Sequence, residues 1–395
     1  MAIAKYIKGK LAHSSWIRVM SVEATALKEQ HGAGNVFDLT LGNPIVEPPD
    51  AFAQELRHLA ENPSPGMHRY METAGYASTR AAVAEYLSRK LGLEFSTKHI
   101  IMTCGAAGGM NVALKAVLDV GDEVIIFSPY FGAYVDYIEN HGGIARIVPS
   151  GNNFIPDLDA LASAINEKTK AVVVNSPNNP TGVVYDNEFT LKLSRILDSK
   201  NRQYGQQIYL ISDEVYSKII YDGIVYPSPV PHYNNTIIVT SHSKDLAIPG
   251  ERIGYAAVHP DCAAWQDVVE AIVHCNRVLG YVNAPALMQN IVRKLQDFSV
   301  SIPDYQKKRD ILYSNLTEMG YSIIKPQGAF YMFPKSPLED DVAFIRELLE
   351  WKVVTVPGTG FGTPGYFRIS YCVDEHTIEG SLAGFEKAAI KHRLR

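Results

Sequence analysis

Thr236-Ile237-Ile238-Val239-Thr240-Ser241-His242-Ser243-Lys244 is a short apolar run that closes on two hydroxyls and a lysine. Thr236 to Thr240 has the composition of a buried strand, so Lys244 emerges at a strand end with little water around it. A desolvated amine has a lowered pKa and can act as nucleophile or base near neutrality. Eight residues on, Pro249-Gly250-Glu251-Arg252-Ile253-Gly254-Tyr255 supplies a guanidinium. Its planar fork, with the hydroxyls of Ser241 and Ser243, suits a phosphate dianion. A Schiff-base lysine beside a phosphate cradle suggests pyridoxal phosphate. Two other readings compete. The run also satisfies the Ser-x-x-Lys pattern of penicillin-recognising acyl enzymes, but neither Ser-Asp-Asn nor Lys-Thr-Gly occurs elsewhere. A lone lysine in a loop is most often solvated charge, and only its company raises it above that.

Outward from this run, the chain between about Lys98 and His259 alternates short β-rich segments with longer ones, several of them helical in composition. The β-rich segments are Ile100 to Met102, Val124 to Phe127, Ile144 to Val148, Ala171 to Val174, Ile208 to Ile211, Ile237 to Val239 and Ile253 to Val258. This rhythm predicts an α/β fold, a mostly parallel sheet with helices on both faces. Near-continuous apolar strands fit burial on both sides, and ligands in such sheets sit at the carboxyl ends of the strands.

Composition excludes several function classes. The 395 residues are 46% hydrophobic and 20% charged, enough for a sizeable core and two or three domains by length. Net charge is −5 without a basic stripe, so the footprint of a nucleic-acid binder is missing. Cys104, Cys262, Cys275 and Cys372 are scattered without metal-ligand spacing, which points to a reducing cytoplasm. No signal peptide and no stretch of about eighteen apolar residues is present, so no membrane association is expected.

Three motifs fall at or just after strand ends. Thr103-Cys104-Gly105-Ala106-Ala107-Gly108-Gly109 joins a strand to a helix-like segment, where small residues let backbone donors approach an anion; a plain tight turn is the alternative. Asn175-Ser176-Pro177-Asn178-Asn179-Pro180-Thr181-Gly182 is a rigid turn whose asparagines could point amides into a cleft. In Ile211-Ser212-Asp213-Glu214-Val215-Tyr216, the acid at the strand end could cap a helix or pair with a cofactor's ring nitrogen. The clusters Gly32-Ala33-Gly34 and Gly358-Thr359-Gly360-Phe361-Gly362 lack a strand-turn-helix context and read as loops.

In this order the segments resemble the class I/II aminotransferases of the fold-type-I pyridoxal-phosphate enzymes, aspartate aminotransferase among them, over nearly the whole chain. The resemblance implies roles. Lys244 is the lysine that holds the cofactor as an internal aldimine and then shuttles the proton. Asp213 partners the pyridinium nitrogen, while Tyr216 and Asn179 hydrogen-bond the phenolic oxygen. Gly105, Ala106, Ala107, Ser241, Ser243 and Arg252 form the phosphate cup, and Tyr130, in Ser128-Pro129-Tyr130-Phe131, stacks on the ring. Tyr70, in Arg69-Tyr70-Met71, reaches the phosphate of the neighbouring subunit, which implies a homodimer. Arg368, in Phe367-Arg368-Ile369-Ser370, clamps the substrate carboxylate; in isolation it reads as a surface arginine on an edge strand. Gly42-Asn43-Pro44 and Gly328-Ala329-Phe330-Tyr331 match loops that border the substrate.

The resemblance further implies a large cofactor domain over 48–289 and a small domain from 1–47, with its N-terminal arm, and 290–395. The activity implied is transfer of an amino group from an L-amino acid to a 2-oxo acid, by family habit 2-oxoglutarate. Dicarboxylate-specific relatives add an arginine from the partner subunit. Before Asn283-Ala284-Pro285 only Arg277 is available, and it does not align to that role, so aspartate is not the expected donor. A carbon-sulfur lyase would use the same Lys244, Asp213 and Arg368, and a non-catalytic amino-acid sensor is the alternative from another class.

Overall fold

The computed structural model describes residues 2–12 and 15–394. The small-domain range expected from sequence also takes in residues 1, 13, 14 and 395, which lie outside the described residues.

Seven strands make the large sheet: β1 Ile100–Thr103, β2 Glu123–Ser128, β3 Ile144–Pro149, β4 Thr169–Asn175, β5 Tyr209–Asp213, β6 Thr236–Ser241 and β7 Gly254–Val258. Their spatial order is β1-β7-β6-β5-β4-β2-β3. All neighbours run parallel except β7, which is antiparallel to both of its own. Each of the seven apolar runs read from the sequence is one of these strands.

Helices cover both faces because both faces are apolar. Along β4, Ala171 and Val173 enter one core with the helices Gly105–Val117 and Trp265–Val278. Val172 and Val174 enter the opposite core with the helices Leu158–Ala164 and Asn187–Tyr204. Successive side chains point to opposite faces, so a strand buried on both sides reads as an unbroken apolar run.

Segments from both chain ends pair with each other in smaller sheets. Phe37–Asp38 pairs in parallel with Val353–Val354. Beside it Phe367–Ser370 is the central strand of a three-stranded antiparallel sheet, between Val356–Pro357 and Tyr331–Met332. Position 289, the expected cut, lies inside the helix Ala286–Val292 rather than between elements. The segment read as a glycine loop is a 3-10 turn, Gly358–Phe361, packed through Phe361 into the hydrophobic core that also takes in Val172 and Val174. No described helix is long and apolar enough to cross a membrane.

Candidate active site

Strand register brings the separate motifs together. Asn175 ends β4 opposite Asp213 on β5, and Asp213 lies opposite Val239 on β6, two residues before Ser241. The carboxyl ends of three neighbouring parallel strands therefore deliver an amide, a carboxylate and the serine-lysine run to one rim. A cavity of about 300 Å³ opens there. Lys244, Ser241, Ser243 and Arg252 line it from the β6 side, and Ala106 and Ala107 from the start of the helix Gly105–Val117. Asp213, Tyr216 and Asn179 line its floor, with Gly42 and Arg368 arriving from the two chain ends.

Lys244 Nζ donates to the carbonyl oxygen of Gly42 at 2.6 Å and sits 5.7 Å from the centre of the Phe330 ring. Burial lowers its pKa to about 8; Arg368 and Arg252 push the same way, while Cys372 opposes them. This is the desolvated amine expected from the strand-end position.

Asp213 caps no helix. It accepts a hydrogen bond from the Tyr134 hydroxyl and a long one, 3.5 Å, from the Val215 amide. Burial pushes its pKa up to about 6 against those two bonds. Among the described residues no cation pairs with Asp213, and a carboxylate in such a place gains from one.

Arg368 is 1% exposed, on the central strand of its sheet rather than on an edge. Nη1 donates to Asn179 Oδ1 at 3.0 Å and Nη2 to the Thr40 carbonyl, whereas Nε has no partner. The guanidinium carbon lies 4.6 Å from the Tyr331 ring centre and 4.8 Å from that of Phe361. A buried guanidinium with an unpartnered donor keeps hydrogen-bonding capacity suited to a carboxylate.

Arg252 turns toward the cavity through a left-handed backbone, φ 53°, and Nη1 bonds the Pro249 carbonyl at 2.8 Å. Gly105 does not line the cavity itself but makes room for this guanidinium. Its φ is 69°, and a Cβ there would meet Arg252 Nη2 at 2.8 Å. The hydroxyls of Ser241 and Ser243, the first helical turn at Ala106 and Ala107, and Arg252 form a donor set suited to a phosphate.

Two expected residues stand elsewhere. Tyr130, assigned by resemblance to stack on the ring, is outside this cavity; its ring packs over Gly362 and its amide bonds the Phe361 carbonyl at 3.0 Å. Neighbouring side chains diverge, and it is the next residue, Phe131, that lines the cavity. Tyr70 is 86% exposed and does not line the cavity. Sequence reading also missed Tyr134, and it placed Tyr331 only within a loop that borders the substrate. Tyr134 occupies the first turn of the helix Ala133–Asn140, four positions past Tyr130, and nothing in its local pattern distinguishes it from a core tyrosine.

A family model for aminotransferase class I and II matches residues 34–383. The probable aspartate/prephenate aminotransferase of Thermus aquaticus is 32% identical over 377 residues, covering 93% of this chain and 95% of the relative. The aspartate aminotransferase of Thermotoga maritima is 31% identical over 376 residues, covering 93% and 95%. Among solved structures, an aminotransferase from Eubacterium rectale superposes with a TM-score of 0.96 at 37% identity, covering 99% of each chain. The aspartate aminotransferase of Thermus thermophilus with maleate superposes at 0.87 with 29% identity, covering 98% of this chain and 100% of the other. The fold is thus that of the fold-type-I aminotransferases. This chain belongs to the class I and II aminotransferases; it is a transaminase that moves an amino group from an amino acid to a 2-oxo acid. The family works with pyridoxal phosphate.

Proposed function

We propose that this transaminase works with pyridoxal phosphate bound at Lys244. The observation that carries the reading is the convergence on one cavity of a desolvated lysine, a buried carboxylate without a cation and a buried guanidinium with a spare donor. The donor set of Ser241, Ser243, Arg252 and the Gly105–Val117 helix start fits the cofactor's phosphate, and the space that Gly105 leaves beside Arg252 supports that fit. When bound, pyridoxal phosphate supplies an electron sink for the pair released at the substrate Cα.

Each protein group then has a task. Arg368 holds the substrate carboxylate through the guanidinium edge that its Asn179 and Thr40 contacts leave free. Lys244 Nζ takes the Cα proton and returns it on the far side of the transfer, a role suited to an amine near pKa 8. Asp213 keeps the ring nitrogen protonated, and the Tyr134 hydroxyl keeps Asp213 in place. Tyr216 donates to the phenolic oxygen. Phe131, not Tyr130, is the side chain placed to cover the ring.

The exposure of Tyr70 supports a homodimer in which it reaches the neighbouring site. A solution mass near that of one chain would remove that role.

The deciding experiment is the visible absorption of protein reconstituted with pyridoxal phosphate, during additions of single amino acids, aspartate and aromatic and aliphatic ones included. Bleaching by an amino acid and recovery on adding 2-oxoglutarate is the expected result, and it names the donor. Bleaching with release of pyruvate and ammonia would make the chain a lyase instead. No protein-bound visible band would overturn the assignment of Lys244.

A further inference from the structure

Tyr331 belongs to none of the roles above, yet it touches three of the groups that carry them. Its hydroxyl lies 2.9 Å from the Tyr216 hydroxyl. Its ring face carries the Arg368 guanidinium at 4.6 Å. A Cβ on Gly42 would overlap the Tyr331 hydroxyl, so the residue whose carbonyl holds Lys244 must be glycine for this tyrosine to fit.

The placement follows from the backbone. Tyr331 pairs with Ser370 in the small sheet, two positions along the strand from Arg368, which makes Tyr331 and Arg368 diagonal neighbours on one face. The segment before Tyr331 is tied to both turns that border the cavity. Gln327 and Gly328 donate to the Gly182 carbonyl at 2.8 and 3.0 Å, beyond the turn bearing Asn179. Ala329 donates to the Ile219 carbonyl at 2.9 Å, in the turn bearing Tyr216. Tyr331 is 2% exposed and has little freedom to move.

Proton accounting assigns a direction to the Tyr331–Tyr216 bond. Burial pushes the Tyr331 hydroxyl up to about 12 and that of Tyr216 well above its ordinary value, so each carries its one proton at neutral pH. A hydroxyl has one proton and two lone pairs. If Tyr216 spends its proton on the cofactor, the proton in the Tyr331–Tyr216 bond must come from Tyr331. A donor that itself accepts a hydrogen bond is the stronger for it.

We propose that Tyr331 is a positioning residue with two tasks: its hydroxyl donates to the Tyr216 oxygen, and its ring seats the Arg368 guanidinium. One side chain thereby links the substrate clamp to the group that polarises the cofactor. The inference rests on the reading of Tyr216 and Arg368 given under the proposed function.

The test uses reconstituted holoenzyme carrying Tyr331→Phe, Tyr216→Phe, both together, or Tyr331→Leu, each shown to be folded by its melting curve. Hydrogen bonds to a deprotonated oxygen lower its pKa, so weakening Tyr216 as a donor raises the pH at which the bound cofactor's visible band changes. Tyr331→Phe is expected to raise that midpoint by about half a pH unit. It keeps the ring, so KM for the amino acid stays within about threefold, whereas Tyr331→Leu raises KM about tenfold. In the Tyr216→Phe background, Tyr331→Phe is expected to add no further shift, because it acts through the missing hydroxyl. An unchanged midpoint in Tyr331→Phe, or the same shift in both backgrounds, overturns the hydroxyl's role. A wild-type KM in Tyr331→Leu overturns the ring's. In either case a normal wild-type band leaves the assignment of Lys244 standing; absence of that band removes both readings together.

Discussion

Lys244 Nζ donates to the Gly42 carbonyl at 2.6 Å across 202 residues of sequence, and this contact joins the turn after β6 to the N-terminal segment of the chain. A buried ammonium keeps one strong acceptor and is otherwise short of water, which is why it deprotonates more readily than an ordinary lysine.

Replacing Lys244 with alanine removes the nucleophile and the proton carrier at once. Transamination is expected to fall by more than about a thousandfold while the fold is retained. Single-turnover kinetics together with circular dichroism check this. Appreciable transamination by a folded Lys244→Ala protein would contradict the assignment.

Arg368→Lys retains a positive charge but loses the fork. The KM for the amino acid is expected to rise about thirtyfold, while affinity for pyridoxal phosphate changes by less than about threefold. Comparing the substrate KM with cofactor titrations separates the two. Equal losses in both would show that Arg368 maintains the cavity as a whole and does not serve as the substrate clamp.

Asp213 predicts a pH dependence of stability in the cofactor-free protein. Its pKa is raised from 3.8 to about 6 by burial, so between those values the folded chain holds a proton that the unfolded chain has lost. Stability conferred at low pH is then withdrawn as pH rises from about 4 to 6, by about 3 kcal/mol for this group alone. Asp213→Asn does not titrate. The difference in unfolding free energy between wild type and Asp213→Asn is therefore expected to move against wild type across that window; a flat difference would mean that the carboxyl is not raised.

Legibility in the sequence varied from residue to residue. Six of the seven strands of the large sheet were readable because burial leaves no polar alternation, so each appears as an apolar run between polar segments; the largely exposed edge strand β3, which carries Arg146, was readable from its β-rich composition instead. Lys244 and Asp213 were readable because each stands where such a run stops. Arg368 was not. Phe367-Arg368-Ile369-Ser370 suits an exposed edge as well as an interior strand, and only pairing on both sides makes it central. Tyr130 and Phe131 are adjacent aromatics after a proline, and the identity of the one that faces the cavity depends on how the turn leaves β2. Tyr134 shows no local sign of function, because its partner Asp213 is 79 residues away, and the loop match that includes Tyr331 gives no sign of its bond to Tyr216, 115 residues away.

By itself the sequence determined the layered α/β architecture, the family, and the chemical types at strand ends, since hydrophobic period and strand-end position are local properties of the chain. Tertiary structure alone decided which phenol serves which carboxylate, that Arg368 is buried with a donor to spare, and that Gly42 meets Lys244. Those relationships are set by strand register and by the contact between the chain ends and the large sheet. Both depend on how distant segments pack, which no short window of sequence encodes.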